Sequence, residues 1–208
     1  MLSASHWHDA ILLRWYELIG SIMMSTYDKL LEQADTLIQK NGYAGFSYAD
    51  LAERLGIRKA SIHHHFPAKS DLGVAYCDKK NIGFQNLESF ILSQPVGRAQ
   101  LLAYLEAFSG CAERGEMCGV YAMLSDYNLF PEELQQAVTK LAQTELRILN
   151  DILQRGAQAG KLKYHIASTD MAVIVCNALK GALMLNCSQS NESYAHTVQA
   201  LSQMLDAA

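Results

Sequence analysis

The sequence predicts an all-α protein of about nine helices, and three observations carry that expectation. Only three prolines interrupt the 208 residues, at positions 67, 95 and 131. The long stretches between them repeat apolar residues every three or four positions, the period of a helix with one buried face. Alternating Val/Ile/Thr-rich runs bounded by Asn-Gly or Asp-Gly, the signature of hairpins, do not occur.

The first 24 residues stand apart. Trp7, Ile11, Leu12, Trp15, Leu18, Ile19 and Ile22 are spaced like one helix face, but Arg14 and Glu17 interrupt the apolar run. It is too short to span a bilayer and lacks the small-residue cleavage site of a secretory signal. Two readings stay open: translation starting at Met23 or Met24, or an extra helix that docks on the body.

From Ser25 onward the helices follow in order. Residues 26–40 align Leu30, Leu31, Ala34, Leu37 and Ile38, and Asn41-Gly42 stops them. Ser47 with Asp50 forms an approximate capping box for a short helix from Tyr48 to Leu55, ended by Gly56. A second short helix runs from Arg58 to about His65, where Pro67 terminates it. A longer helix spans about Lys69–Leu92, and Pro95 and Gly97 mark its end. Further helices are expected over 98–114, 117–128, 132–159, 168–187 and 191–206. Pro131 suits a first turn, with Glu132 and Glu133 against the helix dipole, and Gly160-Lys161 closes that helix. Met171–Leu185 is apolar on nearly every side, and Tyr194, Val198, Leu201, Met204 and Leu205 form one stripe on the last helix. Such a pair either completes a monomeric core or builds a four-helix homodimer interface, for which we expect 168–187 and 191–206.

Composition bounds the function. Half the residues are hydrophobic and 18% are charged, enough for a filled core. The net charge of −4 argues against a general nucleic-acid coat protein, yet residues 51–80 carry six basic against three acidic side chains. Five cysteines without a CxxC pair fit a reduced, cytoplasmic chain. No P-loop, GxGxxG, GxSxG or HExxH motif is present, so nothing points to an enzyme or a cofactor. His63, His64 and His65 are adjacent on one helix and diverge by about 100° per residue, so they do not converge on a metal.

Residues 47–66, SYADLAERLGIRKASIHHHF, have the physics of a helix-turn-helix. Leu51, Ala52 and Leu55 face inward, Ala52 being small where the second helix crosses; Gly56 turns the chain and Ile57 plugs the gap. Ile62 and Phe66 anchor the second helix, while Arg58, Lys59, Ser61, His63 and His64 stand out as major-groove reading requires.

This stretch resembles the signature of the TetR/AcrR family, in which a Thr or Ser begins the second helix and the third runs G-V-S-K-G-T-L-Y-x-H-F-x-x-K-x-x-L. Here that pattern reads Gly56, Ile57, Arg58, Lys59, Ala60, Ser61, Ile62, His63, His64, His65, Phe66, then Lys69 and Leu72, a match over roughly 26–75. The usual serine is Arg58, the usual glycine Ala60 and the usual tyrosine His63. The resemblance implies a three-helix DNA-binding domain at 25–72 and an effector-binding and dimerisation bundle at 73–208, beyond the 1–24 leader. It further implies a cytoplasmic repressor, with no role at a membrane, that binds a palindromic double-stranded operator as a homodimer and releases it when a small effector binds. Ser47 and Lys69 would sit at helix N-termini against phosphates; Arg58, Ala60, Ser61 and His63 would face bases, with Lys59 and His64 nearer the backbone.

For the effector, Tyr104, Phe108, Cys111, Met117, Tyr121 and Tyr127 mix apolar bulk with hydroxyls and a thiol as a small-molecule pocket would. The stretch GEMCGVYAMLSDYNLFPEEL is also similar to electrophile- and redox-sensing NemR-like repressors, which makes Cys111 or Cys118 a candidate sensor. In that pattern a cysteine follows the glycine, whereas here Val120 takes that place and Cys118 precedes Gly119. No Lys or Arg lies beside Cys118 in sequence to lower its pKa. Cys77, Cys176 and Cys187 read as buried fillers.

Overall fold

The computed structural model describes residues 24–188 and 192–207. The leader stripe from Trp7 to Ile22 lies outside the described residues. Among the described residues the chain is helical throughout, with no strand beyond an isolated bridge between Leu162 and Asp206.

Helix α1 (Thr26–Asn41) is capped by Ser25, whose hydroxyl accepts from the Asp28 amide at 3.1 Å. It buries Leu30, Leu31, Ala34, Leu37 and Ile38. Helix α2 (Tyr48–Leu55) starts at Ser47, whose Oγ accepts from the Ala49 amide while its own amide donates to Asp50 Oδ2. Gly56 takes φ 63 and ψ 32, the left-handed conformation that favours glycine. The turn delivers α3 (Lys59–His65) across α2, with Ile62 fully buried and Phe66 nearly so.

Helix α4 (Lys69–Leu92) joins the two parts and runs unbroken through residue 72, where the sequence suggested a division. Its Gly73 is a close-approach position: a Cβ there would lie 2.9 Å from the Leu134 methyls and 3.1 Å from the Tyr43 ring. The bundle continues with α5 (Arg98–Glu106), α6 (Ser109–Glu113), α7 (Gly119–Ser125), a 3₁₀ turn (Tyr127–Leu129), α8 (Glu132–Gln158), α9 (Ser168–Asn186) and α10 (Glu192–Leu205). The expected single helix over 98–114 is broken at Ala107–Phe108, where the Phe108 ring turns under the Lys180 ammonium. The expected helix over 117–128 is shortened in the same way by the 3₁₀ turn.

The long α8 packs on α4 and α9, and α9 packs on α10. Between them a charged pair is sealed in the core: Lys180 Nζ stands 2.6 Å from Glu145 Oε1, and both side chains are essentially inaccessible. Tyr104 of α5 donates to the same carboxylate at 3.0 Å. Cys77 and Cys176 are buried as expected; Cys187 is exposed at the end of α9, its thiol donating to the Leu183 carbonyl of the last turn. That placement corrects the expectation, because α9 ends at Asn186 and among the described residues no later element covers the thiol.

Candidate nucleic-acid interface and effector cavity

The helix-turn-helix presents a polar face on an apolar footing. Arg58, Lys59, Ala60, Ser61, His63 and His64 are all exposed, and Ile62 and Phe66 beneath them are buried. Arg58 is the N-cap of α3, so Lys59, Ala60 and Ser61 form its exposed first turn. Ser47 is occupied by its own helix: its hydroxyl donates to Asp50 Oδ2 at 2.8 Å, and these hydrogen bonds hold the Asp50 carboxyl below its usual range.

Lys69 opens α4, at the helix N-terminus where the sequence placed it, and its side chain turns back into the protein. Its ammonium donates to the Tyr43 and Phe46 carbonyls, each at 2.5 Å, and lies over both rings. Tyr43 returns a hydrogen bond from its hydroxyl to the Lys69 carbonyl at 2.6 Å. Partial burial lowers the ammonium's pKa. The side chain therefore fastens α4 to the α1–α2 loop.

His63 is positioned by neighbours on both sides. Its Nδ1 lies 3.2 Å from the Pro67 carbonyl, and its ring meets that of Tyr48 edge-on at 4.9 Å. Tyr48 is anchored by its hydroxyl to the Ala68 carbonyl at 2.7 Å, and burial followed by the charge of Asp71 pushes its pKa up to about 12.

A cavity of about 270 Å³ lies where the DNA-reading part meets the bundle. Gln39 of α1, Lys80, Phe84 and Leu87 of α4, Phe108 and Cys111 of the α5–α6 region, and Cys118 to Val120 line it. Of the candidate effector residues, it gathers Phe108, Cys111 and Cys118. Met117 lies in the adjoining loop, its amide donating to the Gln39 carbonyl at 2.9 Å. Tyr127 points to Thr139, away from the cavity. Tyr104 and Tyr121 belong to the polar cluster behind it, Tyr121 donating to Asn177.

Sequence reasoning missed Gln39, Lys80, Phe84, Leu87, Glu145 and Lys180. Lys180 did leave a signal: it is the lone charged side chain in the apolar run 171–187. Burial would lower its pKa, but the neighbouring Cys118, Glu145 and Cys176 carry it above the ordinary lysine value. A lysine near Cys118 thus exists in space, though not in sequence. Burial raises the Cys111 thiol despite the opposing charges of Lys80 and Arg114.

Residues 30–76 match the family model described as bacterial regulatory proteins, tetR family. The solved TetR-family transcriptional regulator from Agrobacterium tumefaciens superposes with a TM-score of 0.78 at 28% identity, covering 86% of this chain and 97% of that one. The chain carries a TetR-family DNA-binding segment and shares the fold of a TetR-family regulator. Over 140 residues it is 26% identical to the fatty acid metabolism regulator protein of Bacillus subtilis (strain 168), covering 66% of this chain and 71% of that relative. The reduced form of E. coli NemR shares the fold, with a TM-score of 0.74 at 21% identity over 87% of this chain and 97% of that one. TetR-family regulators bind DNA operators and typically dimerise, and in this chain the matched segment holds the helix-turn-helix described above.

Proposed function

We propose that this TetR-family regulator is a homodimeric repressor that holds a palindromic operator through α3 and releases it when a small effector enters the cavity behind α1. In this reading the DNA-binding domain spans 25–72 and the effector-binding and dimerisation domain 73–208. The protein acts in the cytoplasm and catalyses no reaction. Arg58, Ala60 and Ser61 read bases from the N-terminal part of α3, and Lys59 and His64 hold the flanking backbone.

The observation that carries the reading is the double position of Gln39. It lies on α1 of the DNA-reading part and also walls the cavity. Its carbonyl accepts from the Met117 amide, and its side-chain oxygen accepts from the Cys111 thiol at 3.3 Å. Asp126, just after α7, adds a second tie by accepting from the Ala44 amide at 2.8 Å. A ligand that displaces Phe108 or Cys111 therefore moves the same contacts that orient α1. An effector with unequal affinity for the two orientations shifts their populations.

Dimerisation is supported by the outer side of α9 and α10, where Val173, Ile174, Met184, Leu185 and Met204 are exposed. By length and composition α9 also passes for a membrane span. Its buried Lys180–Glu145 pair and its packing on α8 and α10 assign it instead to the bundle, and in this reading its apolar outer side meets a second copy.

The test is fluorescence anisotropy on duplexes enriched from a random pool. Selective, salt-dependent binding is expected, weakened at least tenfold by Arg58→Ala, with a cost of about 1–3 kcal/mol typical of a base-reading arginine. Binding with no preference over scrambled DNA, or indifference to Arg58→Ala, would overturn the reading. Size-exclusion chromatography with light scattering should give a dimer, and Ile174→Asp with Leu185→Asp should give monomers.

A second reading takes the thiols as the sensor. It is favoured by Cys111 holding Gln39 and by Cys118 lying in the field of Lys180. Mild treatment with a quinone should then alkylate Cys111 or Cys118 and release DNA, and Cys111→Ser with Cys118→Ser should abolish the release. Release with both thiols intact by mass spectrometry would refute it.

A further inference from the structure

The hydrogen-bonding sense of His63 is fixed by its surroundings, with a consequence for how this protein holds DNA. The Pro67 carbonyl can only accept, so the His63 Nδ1 that lies 3.2 Å from it carries a hydrogen. The Tyr48 ring holds the imidazole in place, edge-on at 4.9 Å, and Tyr48 is itself pinned to the Ala68 carbonyl. Nε2 is the nitrogen left to meet DNA. A neutral ring then presents a lone pair there; only the protonated ring presents a donor.

The location decides which partner that nitrogen meets. In helix-turn-helix complexes the N-terminal residues of the second helix contact base edges. His63 lies in the last turn of α3, beside the start of α4, and the first amides of a helix are donors suited to a phosphate. An imidazole lone pair repels a phosphate oxygen, whereas an imidazolium N–H forms a charge-assisted hydrogen bond with it. The charged and titratable groups around the ring are Lys59 one turn back on α3, the adjacent His64, Tyr48 from α2, and Asp71 of α4 behind Tyr48. Tyr48 keeps its proton throughout the pH range at issue.

We infer that His63 makes operator binding proton-linked: each DNA-reading head grips a phosphate through a protonated His63, with Nδ1–H retained by Pro67, and its affinity falls as the solution becomes alkaline. This rests on the DNA-binding reading above. The tyrosine usual at this position in the family signature would donate at every physiological pH, so the proton linkage belongs to the histidine.

The test uses the full chain and a duplex enriched from a random pool at about pH 6, where imidazoles carry charge. Anisotropy is then compared at about pH 6 and about pH 8 at one ionic strength. The expected loss is on the order of tenfold per engaged head, the size of one hydrogen bond to a charged group. His63→Tyr and His63→Gln should both flatten this pH dependence, while His165→Gln, in the loop before α9, should keep it. Equal wild-type affinity at the two pH values, or a slope that survives in His63→Tyr, would overturn the inference while leaving DNA binding intact. Failure to enrich any duplex would overturn the regulator reading itself.

Discussion

The DNA-reading part and the bundle satisfy their polar groups in different ways. At the helix starts of the DNA-reading part the partners are neighbours in sequence: Ser25 caps Asp28, Ser47 pairs with Asp50, and the Ala68 amide donates to Asp71. All of these contacts are exposed. In the bundle the partners are far apart: Tyr104, Glu145 and Lys180 meet from three helices in a site closed to solvent. Exposed local pairs contribute little each and tolerate loss, because water replaces the missing partner. A sealed pair is intolerant of losing one member, since the remaining charge has nowhere to go.

That contrast orders the expected effects of mutation. Glu145→Ala should be the most damaging, leaving the Lys180 ammonium buried without its counter-charge and costing about 3–5 kcal/mol in urea unfolding. The paired change Glu145→Leu with Lys180→Met should recover most of that loss; if it does not, the pair does more than balance itself. Next comes Ile62→Ala, which empties a fully buried site under α3 and should cost about 2–4 kcal/mol. Gly56→Ala meets no neighbouring atom, so its expected cost of about 1 kcal/mol is purely that of the left-handed backbone. Ser47→Ala should cost about 1 kcal/mol by removing the cap of α2.

The same cap has a pH signature. The Asp50 carboxyl is held below its usual range, so its contribution is present above about pH 4, the ordinary carboxylate value, and is lost as pH falls through its folded value. Ser47→Ala should reduce this acid sensitivity in thermal melts. The smallest effect belongs to Arg147→Ala, which breaks a bidentate but half-exposed pair with Glu88 and should cost less than about 1 kcal/mol.

Legibility in the sequence follows the same division. The Ser47–Asp50 cap, the Gly56 turn and the buried Ile62 and Phe66 all act over a few residues, so spacing alone revealed α2 and α3. The break at Phe108 was hidden, because the Lys180 ammonium over that ring comes from a distant part of the chain. The cavity is lined by three residues that the sequence singled out, Phe108 and Cys111 from a run of aromatic and thiol side chains and Cys118 from the NemR-like resemblance. Gln39 escaped notice because it looks like an ordinary polar residue of an amphipathic helix.

By itself the sequence determined the helical class, the order and approximate limits of most helices, and the polar face of α3, since periodicity, caps and breakers act through the local backbone. Only the tertiary structure decided that Lys69 is a clasp for the α1–α2 loop, that the His63 ring lies between the Pro67 carbonyl and Tyr48, and that Gln39 joins the cavity to α1. Each depends on a contact partner placed by packing or by a turn of the chain, and hydrogen bonds of this kind are set by geometry that residue spacing does not encode.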